Sequence, residues 1–173
     1  MPSERSERLG KTNFYNELIE MRDEDRERQE KGVVIVKGRE IPWEMNCQGM
    51  MRWYLHPAIE DTVSRSMIFD VQEIPAGSRS GRIKCQGGQV IYIIKGKGHT
   101  LLDGVKHPWQ AGDVVQLPLR PNGVTFQHFN DDSSPVQLIA VEPNLVDALG
   151  VDRGAGFEQL ENSPEYEAKK PKI

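Results

Sequence analysis

The chain has little cysteine, no surplus of basic charge and no long apolar run, and each lack removes a class of function. Crossing a bilayer as a helix takes about 20 consecutive apolar residues, and no stretch here approaches that length. Lysine and arginine number 22 against 26 acidic residues, a formal net charge of −4. No broad phosphate-binding surface follows from that balance, so a nucleic-acid partner is not expected. Two cysteines, Cys47 and Cys85, cannot make a disulfide framework. The opening residues Ser3-Glu4-Arg5-Ser6-Glu7-Arg8 are polar where a secretory signal would be apolar. The expectation is a cytoplasmic protein, free of the membrane, with reduced thiols favoured over a disulfide. At 173 residues the chain suffices for one domain with a real core and not for two.

What is present begins with a helix. Phe14, Leu18 and Met21 fall on one side of a helical segment that Asn13 can cap and that runs, almost wholly charged, to Gly32. Residues 1–32 are therefore expected to form an N-terminal helical arm. Its apolar stripe is too short to favour a dedicated partner-binding helix.

From Val33 the period changes to two. Short β-branched and aromatic runs follow at 33–36, 52–55, 66–71, 90–94, 99–102, 114–117, 124–129 and 136–141, separated by Gly, Pro and Asp turns. Asp103-Gly104 is a strong hairpin signal, because both residues tolerate positive φ. So many short strands without intervening helices call for an all-β sandwich or barrel over residues 33–150. Beyond it the chain turns polar, and residues 151–173 are expected to be a flexible tail.

Two stretches narrow the barrel further. One is Gly77-Ser-Arg-Ser-Gly-Arg-Ile83-Lys-Cys85-Gln-Gly-Gly-Gln89-Val-Ile-Tyr-Ile-Ile-Lys-Gly96; the other is Gly112-Asp-Val-Val-Gln-Leu-Pro118-Leu-Arg-Pro121-Asn-Gly123-Val-Thr-Phe126-Gln-His128-Phe-Asn130. Their glycine, proline and asparagine framework, with the hairpin between them, resembles the two signature motifs of the cupin superfamily. The resemblance covers residues 66–141 and implies a jelly-roll β-barrel. It further implies metal ligands, a His-x-His pair and a glutamate in the first motif and a third histidine in the second, holding Fe, Mn, Ni or Zn. Carried onto this chain, the pair falls on Ile83 and Cys85, the glutamate on Gln89 and the last histidine on Phe126. None of the four is the usual ligand.

Alternation gives these positions a common direction without the family. Residues two apart on a strand share a face, so Ile83 joins Cys85, and Phe126 joins His128 and Asn130. The expected cavity is lined by Ile83, Cys85, Gln89, Ile91, Phe126 and His128. Two apolar groups replace two imidazoles, and a neutral amide replaces a carboxylate, so no metal is expected at the usual positions.

Each candidate carries a bland alternative. Cys85 is either a soft ligand or nucleophile, or a small apolar filler, and the filler is favoured. His128 is either a general acid or base, or a core histidine held by Asn130 or a backbone carbonyl. Gln89 suits a ligand carbonyl or hydroxyl better than a metal. His56, His99 and His107 are expected at the surface, and Trp43, Trp53 and Trp109 in the core or an interface rather than as stacking platforms. Tyr92 and Ile94 face away from the cavity and need covering, which points to a homodimer.

Two function classes follow. The first is small-molecule binding or processing in the barrel without a tightly bound metal, with Cys85 and His128 as catalytic candidates and a modest organic molecule, such as an aromatic acid, as ligand. The second is a metal-dependent dioxygenase, decarboxylase or isomerase using Cys85, Gln89 and His128 as a shifted ligand set. The first is favoured, because all four usual positions differ together.

Overall fold

The computed structural model describes residues 3–144 and 157–170. The chain forms two compact units, residues up to 35 together with 61–64, and the remainder.

The first unit is helical. Helix α1 (Glu4–Leu9) is capped by the Ser3 hydroxyl, and α2 (Phe14–Lys31) by Asn13, whose Oδ1 accepts the Asn16 N–H at 3.2 Å. Gly32 ends α2, its N–H donating to the Arg28 carbonyl at 2.8 Å. Surface pairs such as Lys31–Glu27, at 2.7 Å, lace the charged face. Phe14, Leu18 and Met21 are all more than half exposed. The strand expected at 33–36 does not form. Val33 makes a single parallel bridge to Thr62, while Val34 and Ile35 stand in solvent. High β-propensity builds a strand only where a partner lies in register, and this run has none beyond that bridge.

The second unit holds two antiparallel sheets. One has the order β1 (Glu44–Asn46), β2 (Gly49–Leu55), β3 (Met67–Ile74), β10 (Val136–Pro143), β5 (Val90–Lys95), β8 (Val114–Gln116). The other runs β11 (Phe157–Glu161), β4 (Arg82–Cys85), β9 (Val124–Asn130), β6 (Lys97–Leu102), β7 (Val105–Gln110). Asp103 and Gly104 make the β6–β7 turn at φ 50° and 82°, the left-handed geometry that suits a two-residue hairpin. Pro108 is accommodated because β7 is an edge strand, where no neighbour needs its missing N–H.

Side-chain alternation then fills the space between the sheets. Ile74, Val136, Leu138, Ile91 and Ile93 from the first sheet meet Val124, Phe126 and Trp109 from the second. Ile91, Ile93, Val124, Val136 and Leu138 are at most 1% exposed, and each such burial contributes roughly 1.5–3 kcal/mol. Asn130 pins one end shut, its amide reaching the carbonyls of Ile74, Pro75 and Ser134, each at 2.9 Å.

The expected flexible tail is corrected over part of its length. Strand β11 pairs with β4, Phe157 opposite Cys85 and Gln159 opposite Ile83. Helix α3 (Pro164–Lys169) follows, capped by a fully buried Ser163 whose N–H donates to the Cys47 carbonyl at 2.8 Å. Backbone pairing to an open sheet edge needs little apolar sequence, which is why composition misses it. Residues 145–156 and 171–173, the rest of the expected barrel end and tail, lie outside the described residues.

Candidate functional site

The inward faces of the two sheets differ between their ends. Toward Asn130, the inward residues Ile93, Thr100, Val136 and Leu138 are sealed from solvent. Toward the other end, Ile83, Cys85, Gln89, Ala140 and Glu142 point inward yet stay part-exposed. Inward side chains that keep solvent contact mark this as the open end of the barrel.

Two carboxyl groups at this end escaped the sequence reading. Asp70 lies on β3 between Trp53 of β2 and Ala140 of β10. Glu142, two residues past Ala140, shares that face. Asp70 is 5% exposed, and among the described residues no donor or cation bonds its carboxyl. Burial, and after it the charge of Glu142, pushes Asp70 up to about 8. Burial raises Glu142 as well. Asp70 is thus mainly protonated at neutral pH. Gln89 reaches Glu142, Nε2 donating to Oε2 at 3.5 Å. The signal was available: a charged residue inside the apolar run Met67-Ile-Phe-Asp70-Val, at a position whose neighbours two away on the strand face inward.

Opposite these, β4 carries the two positions expected for a histidine pair. Ile83 faces Phe126 and Cys85 faces Val124 across β9. The Cys85 sulfur accepts the Gly87 N–H at 3.3 Å. Burial pushes the thiol up, the Gly87 hydrogen bond offsets part of this, and Glu142 adds to the rise. A thiol held protonated is a poor nucleophile and a poor ligand. Gly87 itself must be glycine, with φ 90° and the Pro118 carbonyl where a Cβ would sit. The structure therefore gathers Ile83, Cys85 and Gln89 at the open end, while Ile91 and Phe126 are buried in the core.

His128 stands apart from them. It lies four residues along β9 from Val124, the residue facing Cys85, a separation of about 13 Å at the usual strand rise. Its Nδ1 is 2.8 Å from the Thr100 hydroxyl, which accepts the Trp109 indole N–H at 3.0 Å. Indole only donates, so the Thr100 proton is free to go to Nδ1. Burial lowers the histidine to about 4, and the ring is neutral at pH 7.

Three expectations are corrected by this geometry. Cys85 and His128 do not form a catalytic pair, because β9 holds them at different ends of the barrel. For the same reason Cys85, Gln89 and His128 cannot share one ion, whose ligands sit within roughly 4 Å of each other. The partner of His128 is Thr100, since Asn130 is committed to backbone carbonyls. His99 departs from expectation too: it is 9% exposed, 2.6 Å from Asp131 through Nδ1, and stacked on Phe129 at 4.7 Å. His107 is exposed and His56 part-buried. Trp109 is core, and Trp43 carries the Arg52 guanidinium at 4.1 Å.

No protein-family model and no curated protein matches the sequence. Solved structures match in shape. A Cupin 2 conserved barrel domain protein from Salinispora arenicola is 23% identical, with TM-score 0.51 over 63% of this chain and 86% of that one. A cupin-like protein from Thermotoga maritima is 19% identical, with TM-score 0.51 over 73% of this chain and 93% of that one. The polyketide cyclase RemF from Streptomyces resistomycificus is 12% identical, with TM-score 0.54 over 64% and 79%. The chain has the cupin fold. Identities this low carry the architecture of a cupin and not its chemistry.

The metal that cupins commonly hold does not fit the residues here. Of the four usual positions, Ile83 and Phe126 offer no donor atom, Cys85 is held as a thiol, and Gln89 supplies a neutral amide. Among the described residues no three His, Cys, Asp or Glu side chains converge as an ion would require. The open end of this cupin barrel is instead a hydrogen-bonding site with apolar walls.

Two predictions follow from the buried titrating groups and the register. Asp70 has a folded value of about 8 against 3.8 unfolded, so the unfolded chain releases its proton first. Stability therefore falls as pH rises from about 4 to about 8, by roughly 5–6 kcal/mol at most. Asp70→Asn should flatten that slope in melting curves taken across pH. His128 acts on the acid side, with about 4 folded against 6.5 unfolded. Stability is lost as pH drops through that window, and His128→Gln should remove the loss. Second, Ile83→His, Cys85→His, Gln89→Glu and Phe126→His together should create stoichiometric binding of zinc or manganese, measured by elemental analysis. Unchanged metal content would mean these side chains do not converge.

Proposed function

We propose that this cupin barrel binds, and in its cellular setting processes or delivers, a small organic molecule at its open end without a tightly bound metal. One observation carries this reading. Buried Asp70 and the part-exposed Gln89 and Glu142 lie together at the open end of the interior, beside the apolar Ile83 and Ala140. Apolar walls with a few convergent polar groups are the usual make-up of a ligand site.

The groups available are suited to recognition more than to covalent chemistry. The Cys85 thiol is held in its protonated form by burial and by the charge of Glu142, and His128 is buried in the core with Nδ1 bonded to Thr100. The protonated Asp70 can donate a hydrogen bond, Gln89 can donate and accept, and Ile83 and Ala140 supply apolar contact. An aromatic acid is a poor occupant, because its carboxylate would meet two acidic side chains in a poorly solvated place. The metal-dependent alternative gains no support, since His128 lies toward the sealed end, away from Cys85 and Gln89.

The protein is placed in the cytoplasm on this reading, with Cys47 and Cys85 both free thiols. No helix among the described residues is long and apolar enough to cross a membrane. A homodimer is part of the proposal. Val90, Tyr92, Ile94 and Val114 on the outer face of β5 and β8 are 40–51% exposed, an apolar stripe that a second copy would cover.

Two measurements test these statements. Ligand binding should appear as shifts of the Ile83 and Ile91 methyl resonances on adding millimolar catechol, phenethylamine or benzoate, with at least one compound active. Ala140→Phe, which fills the open end, should abolish the response while leaving the melting temperature near that of the parent. Silence from all three compounds would end the binding reading. Light scattering should give twice the chain mass, and Tyr92→Glu should halve it; a monomeric parent protein would remove the dimer.

A further inference from the structure

The Asp70 carboxyl is the most anomalous group among the described residues. Asp70 is 95% buried as a residue, a setting in which a carboxyl ordinarily meets a donor or a cation, and among the described residues neither bonds it. The groups facing it can be named element by element. From β10 the charge of Glu142 reaches it, and Glu142 in turn adjoins the Cys85 thiol of β4 and the Gln89 amide before β5, while Trp53 of β2 is its cross-strand partner on the same face. No lysine, arginine or histidine occupies an inward position of β2, β3, β5, β8 or β10 among the described residues. Among the described residues the site therefore holds two acids, one of them without a hydrogen-bond partner, a tryptophan on the neighbouring strand and no inward positive charge.

From this juxtaposition of an unpartnered buried Asp70 with Glu142 and Trp53 at the open end of the barrel, we propose that the ligand is an organic ammonium ion. The inference rests on the binding reading above and narrows it to a chemical class. An ammonium supplies the donors and the charge that Asp70 and Glu142 lack, and its nitrogen finds an aromatic surface in Trp53. The hydrocarbon part of the molecule finds Ile83 and Ala140, which a bare inorganic ion would leave unused. Such an ion also needs about six oxygen ligands to replace its water, and two carboxyls do not supply them. An anion would bring no charge that either carboxylate could pair with, and a neutral hydroxyl could not compensate Asp70 once it ionises.

Binding of this kind is linked to protons. Free Asp70 carries a proton at neutral pH, and pairing with the ammonium releases it to solvent. Among the described residues the other titratable groups near the site are Glu142, Cys85 and His56, whose ring stands edge-on to Trp53 at 5.1 Å; Glu142 and Cys85 are both pushed toward their neutral forms as well. Affinity for an amine that stays protonated throughout should then rise with pH, about tenfold per unit for one proton released, and level off near the Asp70 value.

The experiment is calorimetric titration of the full chain with phenethylamine, run across neutral pH in phosphate and in MOPS, neither of which carries a primary ammonium. The expected result is binding that strengthens with pH and a buffer-dependent heat that reports about one proton released. Asp70→Asn should abolish the pH dependence and weaken binding at least tenfold. Glu142→Gln should weaken it while keeping the pH dependence, which guards against a misfolded Asp70 variant. Equal or tighter binding of benzoate, pH-independent binding of the amine, or saturation of the site by calcium or manganese would each overturn the ammonium assignment. Catechol binding without phenethylamine binding would overturn it too and leave the small-molecule reading standing, whereas failure of every compound would remove both.

Discussion

Antiparallel register is the constraint on which the rest of this protein depends. Once Ile83 is opposite Phe126 and Asp70 opposite Ala140, every second residue of these paired strands is committed to one enclosed space. A slip of one residue would turn Leu138, Ile93 and Val124 into solvent and bring Ile139, Tyr92 and Thr125 inward. The register is held where backbone groups leave no choice. Asn130 ties the end of β9 to the end of β3, and the Ser80 hydroxyl accepts the His128 N–H at 2.9 Å while the Ser80 N–H returns to the His128 carbonyl.

Within that frame the polar interior divides into two kinds. The chain of Trp109, Thr100 and His128 runs donor to acceptor from the indole N–H through the Thr100 hydroxyl to Nδ1, and it stiffens the sealed end. The Asp70 and Glu142 pair is not satisfied internally, and it sits where solvent or a ligand can enter. A fold keeps an uncompensated group at a cost in stability, and such sites are where function is commonly found. Ile83, Cys85 and Phe126 offer the open end no imidazole. Two carboxyls on the facing sheet are what remains to give the interior a chemical preference.

The architecture was largely legible because it rests on local signals. Asn13 and Gly32 bounded the long helix correctly, since capping is decided by a few adjacent residues. Asp103-Gly104 placed its hairpin for the same reason. What failed were readings that needed a partner far along the chain. The run at 33–36 looked like a strand and found almost nothing to pair with, whereas polar residues 157–161 looked like a tail and completed a sheet edge.

The site shows the same division. Period-two alternation was enough to say that Ile83, Cys85, Phe126 and His128 face inward, because the direction of a side chain on a strand is a local property. Which inward residues are neighbours is not local, being set by strand order and by distance along each strand. Only the assembled sheets put Glu142 beside Asp70, across more than seventy residues of sequence, and separated His128 from Cys85. A carboxyl's proton affinity depends on what surrounds it in space, so the chemistry of the barrel's open end was decided by tertiary structure alone.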